Sequence, residues 1–266
     1  MAQGTRWAIV TGASAGIGAE FARQLAAKGW SLVLVARRAE RLEALARELE
    51  SAHGVATRCV ALDLAAPDAA TRLVAATEGL AVEMLVNNAG YGVPGALTSQ
   101  PWPVHRDFLQ VLVSLPCELA HAYVPAMQRA KRGAIINVAS LAGHMPGSAG
   151  HTMYAGSKAY LIKFSQSLAL ENERHGVKVQ ALCPGFTYSE FHDVTGARKL
   201  VSKMPSYMWM GADEVVRQSL DAIERGPIVL VTGRMNRMFK WLGKHLPDSW
   251  GLAMMRRQSR KFRDSH

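Results

Sequence analysis

A doubly wound parallel α/β sheet of about seven strands is the fold class this sequence predicts, from the pattern of its apolar runs. Short apolar runs alternate with longer amphipathic stretches over the first 230 residues. Such a sustained strand–helix alternation places helices on both faces of one sheet. Most of the runs are continuously apolar rather than alternating, as strands covered on both faces require. The chain has 266 residues, 49% apolar and 20% charged. That is ordinary globular usage and enough for one large domain.

In chain order the strand runs are Trp7–Thr11, Ser31–Val35, Ala56–Ala61, Met84–Asn87, Ala134–Ala139, Lys178–Cys183 and Ile228–Val231. Helical patterns lie between them, among them Ala19–Lys28, Arg38–Ser51, Ala70–Thr77 and Tyr154–Arg174. No linker, repeat or low-complexity segment precedes residue 233, so one domain over 1–266 is expected, with a core at 5–232 and a helical extension at 233–266. Phe186–Met210 stands apart as a long connection ending in Tyr207-Met208-Trp209-Met210. Loops of that length inside compact domains are usually functional or mobile.

The net charge is +10, and six Arg and three Lys against two Asp put +7 of it in the last 33 residues. A basic tail suits an anionic surface. Nucleic acid is not expected as a partner, because no recognised module accompanies the charge. Cys59, Cys117 and Cys183 are odd in number and lack metal-ligand spacing. They read as buried, reduced thiols, and no metal is expected. With no signal-peptide pattern at Met1–Val10 and no apolar run long enough for a membrane span, the cytoplasm is the expected location.

Residues suited to chemistry gather at strand ends. Thr11-Gly-Ala-Ser-Ala-Gly-Ile-Gly18 follows the first strand and opens the first helix. Glycines there permit close backbone approach, and the helix N-terminus offers free N–H groups to a pyrophosphate. After the second strand come Ala36, Arg37 and Arg38, with no carboxylate to hold a ribose 2′-hydroxyl. An arginine at this point accommodates the 2′-phosphate of NADP. Arg37 is the candidate, and Arg38 reads as the exposed start of the next helix. Asp63, with Leu64 beside it, closes the third strand, and Asn87-Asn88-Ala89-Gly90 the fourth. Asp63 can accept from an adenine amino group, and both stretches can equally be caps or turns. Ser140 closes the fifth strand. Fourteen residues on, Tyr154-Ala-Gly-Ser-Lys158 sets a phenol and an ammonium on one helix face. A neighbouring cation lowers a phenol's pKa, and such a phenol can exchange a proton with a carbonyl or alcohol.

These motifs, with Pro184-Gly185 after the sixth strand, occur in an order that resembles the short-chain dehydrogenase/reductase family in its compact, Rossmann-like, single-domain branch, over roughly residues 5–232. The resemblance implies an NADP(H)-dependent oxidoreductase, with NAD(H) the less favoured cofactor, acting on a ketone or aldehyde or on a secondary alcohol. It implies Tyr154 as general acid/base, Lys158 as the group that lowers its pKa and holds the nicotinamide ribose, and Ser140 as the binder of the substrate oxygen. Cofactor contacts would come from Gly12, Ser14, Ala15, Gly16, Ile17, Gly18, Arg37, Asp63, Leu64, Asn88, Ala89, Gly90, Tyr154, Lys158, Pro184, Gly185, Thr187 and Ser189. A homo-oligomer and a small-molecule substrate are expected on the same footing.

One departure stands out. Where the family usually has an Asn that holds a proton-relay water, this chain has Ser114, in Leu112-Val-Ser114-Leu-Pro116. Pro116 lacks an N–H, so a bend is expected that frees the carbonyl of Leu112, and Ser114 is the candidate to sustain the relay. For the substrate side, Leu141, Met145, Phe186, Met208 and Trp209 suggest an apolar pocket; the Met/Trp cluster can equally anchor the long loop. His144 and His151 read as loop histidines. After Gly233, Met235, Met238, Phe239, Leu242 and Leu246 form one helical stripe, with Arg237, Lys240 and Lys244 opposite. Such a helix can pack on its own domain or a partner subunit, or lie peripherally in a membrane interface. A non-catalytic NADP(H)-binding sensor is the competing reading, since fold does not fix function.

Overall fold

The computed structural model describes residues 5–188 and 208–256, apart from 246, 248 and 254. Seven strands form one sheet, β1 (Trp7–Thr11), β2 (Ser31–Ala36), β3 (Thr57–Ala61), β4 (Val82–Asn87), β5 (Gly133–Val138), β6 (Val177–Cys183) and β9 (Val229–Val231). Their order is β3-β2-β1-β4-β5-β6-β9, and every neighbouring pair is parallel. A separate parallel ribbon pairs β7 (Phe186–Thr187) with β8 (Trp209–Met210).

The helices are α1 (Gly16–Ala27), α2 (Ala39–His53), α3 (Ala69–Ala76), α4 (Trp102–Leu109), α5 (Leu115–Ala130), α6 (Tyr154–Asn172), α7 (Ala212–Ala222) and α8 (Arg234–His245). Successive residues of a strand point to opposite faces, and β1 shows how the core divides. Ala8 and Val10 pack with α1, α2 and α7 residues such as Phe21, Leu42 and Val216. Ile9 packs on the other face with Leu73, Phe108, Leu119 and Val124 from α3, α4 and α5. β2 is buried along its whole length, whereas β3, at the sheet edge, leaves Arg58 and Cys59 exposed. Cys59 therefore departs from the buried thiol expected of it; Cys183 is buried and Cys117 half-buried.

Strand order reverses between β1 and β4, and ligands bind open α/β sheets at such a switch point. The two strand ends are sewn together there. Thr11 Oγ1 donates to Val86 O (3.2 Å) and accepts from the N–H groups of Asn88 (2.9 Å) and Ala89 (3.1 Å). Further along the sheet a polar ladder crosses the core. Asn87 Nδ2 donates to Asn137 Oδ1 (2.8 Å), Asn137 Nδ2 to Ser165 Oγ (2.9 Å), and Ser165 Oγ to Leu161 O (2.7 Å). All three side chains are buried, so the ladder fixes β4, β5 and α6 against one another.

Asn137→Ala would leave the Asn87 amide buried without its acceptor. Its unfolding free energy in urea is expected to fall by about 2 kcal/mol.

Candidate active site

The glycine turn after β1 is closed by its neighbours. Gly12 has φ +68°, and a Cβ on Gly18 would collide with the Gly12 carbonyl oxygen and the Asn88 amide. Asn88 Nδ2 donates to Thr11 O (2.9 Å) and Gly12 O (3.3 Å), so this side chain braces the turn. Ser14 sits on the turn and accepts from Arg38, at 3.0 Å from Nη2 and 3.3 Å from Nε. Arg38 was expected to be only the exposed beginning of α2. It is exposed and caps α2 in an extended conformation, but its guanidinium reaches back onto the glycine turn. Arg37 is exposed beside it. Asp63 Oδ1 accepts from Ala65 N–H (3.1 Å), a local turn, and the Leu64 side chain is buried in the core rather than presented to the strand ends.

Ser140 ends β5 in an extended conformation, and its Oγ accepts from Ala142 N–H (3.1 Å), capping a short 3₁₀ turn, Leu141–His144. Leu141 N–H donates to Pro184 O (2.9 Å), which ties this turn to the loop after β6. Gly143 lies against α6, where a Cβ would stand 2.8 Å from Ala159 N and Ile162 Cδ1. That contact draws Ser140 towards the first turn of α6. Tyr154, the first residue of α6, is hydrogen-bonded to the Ser140 hydroxyl.

Lys158 is buried one turn further on, with Nζ donating to Val138 O (2.7 Å) and lying 5.8 Å from the centroid of the Tyr154 ring. A Cβ on Gly90 would stand 3.8 Å from this Nζ and 3.7 Å from Leu112 Cγ, so the β4 loop lies between the lysine and the helix that follows. Burial pushes the Tyr154 phenol up to about 12, with the Ser140 hydrogen bond opposing. Burial pulls Lys158 down to about 8, with Cys183 opposing. In this arrangement burial, with the Ser140 hydrogen bond opposing, dominates the phenol. Burial holds both groups towards their neutral forms.

The expected break near Pro116 takes a specific form. Gln110–Ser114 is a π turn joining α4 to α5, with Leu115 N–H donating to Gln110 O. π turns inside helices occur frequently at functional sites. Ser114 is its last residue and is half-buried.

After β6, Thr187 is buried and donates to Gly185 O (3.2 Å). Ser189, assigned to the same loop, lies outside the described residues, as does Leu246 of the C-terminal stripe. Phe186 and Trp209 face each other across the β7–β8 ribbon (ring centroids 5.6 Å), and Tyr188 stacks on Trp209 at 4.8 Å. Met145 packs under α8, where a Cβ on Gly243 would lie 2.7 Å from its Cε. A small cavity beside Tyr154 is walled by Val93, Leu97, His105, Phe108 and Met153. Leu141, Met145, Phe186, Met208 and Trp209 are not among its lining residues; Phe186 and Trp209 pack on each other and Met145 against α8. His105 was not singled out by its sequence context, where it is one histidine on a short amphipathic helix.

α8 folds back over the 3₁₀ turn. Asn236 is buried against Gly185, and Gly243 meets His144 and Met145. Met238 is 44% exposed, so the expected apolar stripe does not all face the domain, and Trp241, outside that stripe, is 60% exposed. Asn236 and Gly243, not the larger apolar residues alone, make the close approach.

Residues 6–199 match the short chain dehydrogenase family, and the chain belongs to it. A very-long-chain 3-oxoacyl-CoA reductase of Coprinopsis cinerea is 35% identical over 206 residues, which is 76% of this chain and 60% of that protein. The chain thus spans about three fifths of that fungal reductase. A 7β-hydroxysteroid dehydrogenase of Collinsella aerofaciens is 28% identical over 92% of this chain and 93% of its own length. Among solved structures, a short-chain dehydrogenase of Sphingobium yanoikuyae in complex with NADPH superposes with a TM-score of 0.80 at 30% identity, covering 97% of this chain and 94% of that one.

His144 supplies a pH test. Its Nε2 is buried without a partner among the described residues, and burial, then Lys240 and Lys163, hold its pKa down at about 4 against an ordinary 6.5. Between those values the unfolded chain binds a proton that the folded chain refuses, so stability falls as pH drops through this window. In thermal melts from pH 7 to pH 4, His144→Leu is expected to lose less Tm than the parent protein.

Proposed function

We propose that this chain is an NADP(H)-dependent oxidoreductase that interconverts a ketone or aldehyde and its alcohol, with Tyr154 as the proton donor and acceptor. The observation that carries the reading is the hydrogen bond between Ser140 and Tyr154, with Lys158 buried behind them, at the strand ends beside the glycine turn. The residues fit a dinucleotide. Gly12, Gly16 and Gly18 keep the turn free of side chains, α1 presents its N-terminus, and Ser14 with Arg38 and Arg37 offers donors to a 2′-phosphate. Ala15, Ile17, Ala89, Gly90, Pro184, Gly185 and Thr187 border the same strand ends. The bound nicotinamide supplies or receives the hydride.

The chain's own residues handle the oxygen and the proton. Ser140 Oγ holds the substrate oxygen and Tyr154 Oη gives it a proton, a transfer favoured by a phenol kept protonated. Lys158, with its lowered pKa, stands one helical turn behind to replace the proton, and Ser114 at the end of the π turn sustains the relay to solvent. Val93, Leu97, Phe108 and Met153 beside Tyr154 favour an apolar group next to the reacting carbon.

The test is an assay of bulky ketones and aldehydes with NADPH and NADH. NADPH is expected to be preferred, Tyr154→Phe to lower kcat/KM by about 10²–10⁴-fold, and Arg38→Ala to raise KM for NADPH more than for NADH. Ser114→Ala is expected to lower kcat. NADPH binding without turnover across the panel would establish the sensor reading instead.

The outer face of α8 supports a peripheral contact with an anionic bilayer. On α8 Met238 and Trp241 are exposed along with the basic groups Arg234, Arg237 and Lys244, and beyond the end of the helix Trp250, Leu252 and Arg256 are exposed as well. Apolar side chains interleaved with basic ones match a membrane interface. Among the described residues no helix is long and apolar enough to cross a membrane. The intact protein is expected to co-sediment with phosphatidylserine-containing vesicles and not with phosphatidylcholine alone, and the double substitution Trp241→Ser, Trp250→Ser to abolish binding.

A further inference from the structure

The one side chain that α8 buries is polar: Asn236, at 4% exposure. The larger Met238 and Trp241 of the same helix stay exposed. A buried amide has to be hydrogen-bonded, and its partners then set its place. Asn236 Nδ2 donates to Thr232 O (2.8 Å), just past β9, and faces Met210 Sδ of β8 at 3.9 Å. Gly233 makes the turn between β9 and α8 with φ +81°, and its N–H donates to Gln218 Oε1 of α7 (3.3 Å). The start of α8 is therefore fixed from three elements.

What the amide meets is the loop after β6. A Cβ on Gly185 would stand 2.5 Å from both Nδ2 and Oδ1 of Asn236 and 2.7 Å from its Cγ, and no other atom would be nearer. The φ of Gly185 lies outside the left-handed region, so what excludes a side chain there is the space that Asn236 takes. Glycine is the most permissive residue of the backbone, and a loop built on it keeps its shape only if something backs it. The residues on either side of Gly185 lead to the site. Leu141 N–H, next to Ser140, donates to Pro184 O (2.9 Å). Thr187, itself buried, donates to Gly185 O (3.2 Å). The loop is thus tied to the Ser140 turn, whereas the glycine turn is braced separately by Asn88 and Arg38.

We propose that Asn236 is a positioning residue through which the C-terminal helix holds Gly185 and Thr187 in place for the nicotinamide end of the dinucleotide. The proposal rests on the reading of these strand ends as an NADP(H) site. Asn236 acts through Gly185, and the phosphate end of the site does not depend on it.

The test compares two ligands by calorimetry on the intact protein. One is NADPH, and the other is 2′-phospho-ADP-ribose, which has the same phosphates and adenosine but no nicotinamide. In Asn236→Ala the dissociation constant for NADPH is expected to rise about tenfold, because binding must then order the loop, while that for the fragment stays the same. Gly185→Ala is expected to reproduce this loss in the parent protein. On the Asn236→Ala background it is expected to cost nothing further, since the new Cβ enters the space left by the amide. In the unmodified protein NADPH is expected to slow hydrogen exchange at the amides of residues 235–240, and the fragment to leave it unchanged, because coupling between two sites is reciprocal.

Equal losses for the two ligands overturn the proposal, as does no loss for either, or a full further loss from Gly185→Ala on the Asn236→Ala background. So does exchange in α8 that ignores NADPH, which is read on the unmodified protein and decides even if Asn236→Ala does not fold. NADPH that fails to bind at all overturns the dinucleotide reading and the proposal with it. The expected split between the ligands without turnover of any carbonyl would sink the reductase reading and leave the role of Asn236 standing.

Discussion

The hydroxyl of Thr11 is the point on which the rest of this molecule depends. It closes β1 by donating to Val86 O and accepts two backbone N–H groups from the loop after β4. A parallel sheet whose order reverses between these strands has a crevice at their ends. Without a tie, that crevice would be lined by unpaired main chain. Asn88 completes the knot by bonding back to the carbonyls of Thr11 and Gly12. The glycine turn is thus held by the neighbouring strand, and the close fit of Gly18 against it leaves no room for a side chain. One side of the crevice becomes a rigid cradle of backbone.

The other side is aligned by a second buried element, the Asn87–Asn137–Ser165 ladder. Because Ser165 lies on α6, the ladder sets where that helix runs beneath the ends of β4 and β5, and α6 carries Tyr154 and Lys158 at its beginning. Gly143 then brings the Ser140 turn into contact with the same helix. The glycine turn and the first turn of α6 are therefore positioned by hydrogen bonds that meet across two adjacent strands. Burial acts on Tyr154 and Lys158 with a consistent sign, raising the phenol and lowering the amine.

Much of this could be read from the chain. The seven apolar runs end within two residues of the observed strands, because a strand buried on both faces has to be apolar throughout. The motif order placed the glycine turn, Ser140, Tyr154 and Lys158 at one edge of the sheet. What could not be read depended on direction. Arg37 and Arg38 are neighbours in sequence, and only the extended backbone of the α2 cap turns Arg38 onto Ser14. Cys59 is exposed because β3 is an edge strand, a consequence of strand order rather than of local composition. Phe186 and Trp209 have the character of pocket residues but satisfy each other across a two-residue ribbon. His105 sits on an unremarkable amphipathic turn, and its buried, unpaired nitrogen exists only once Leu97 is folded against it.

The π turn at Gln110–Ser114 has a consequence for how this helix is counted. A π turn holds one residue more than the α turn it replaces. The helical segments on either side keep their buried faces, with Phe108 before it and Leu115 and Leu119 after it all in one core. Deleting a single residue between 110 and 114 would return the backbone to α geometry and leave those two faces in phase. The helix therefore contains one residue that its packing has no use for. What that residue changes is local, the alignment of Ser114 and Pro116 with the main chain before them, where this segment packs against α6.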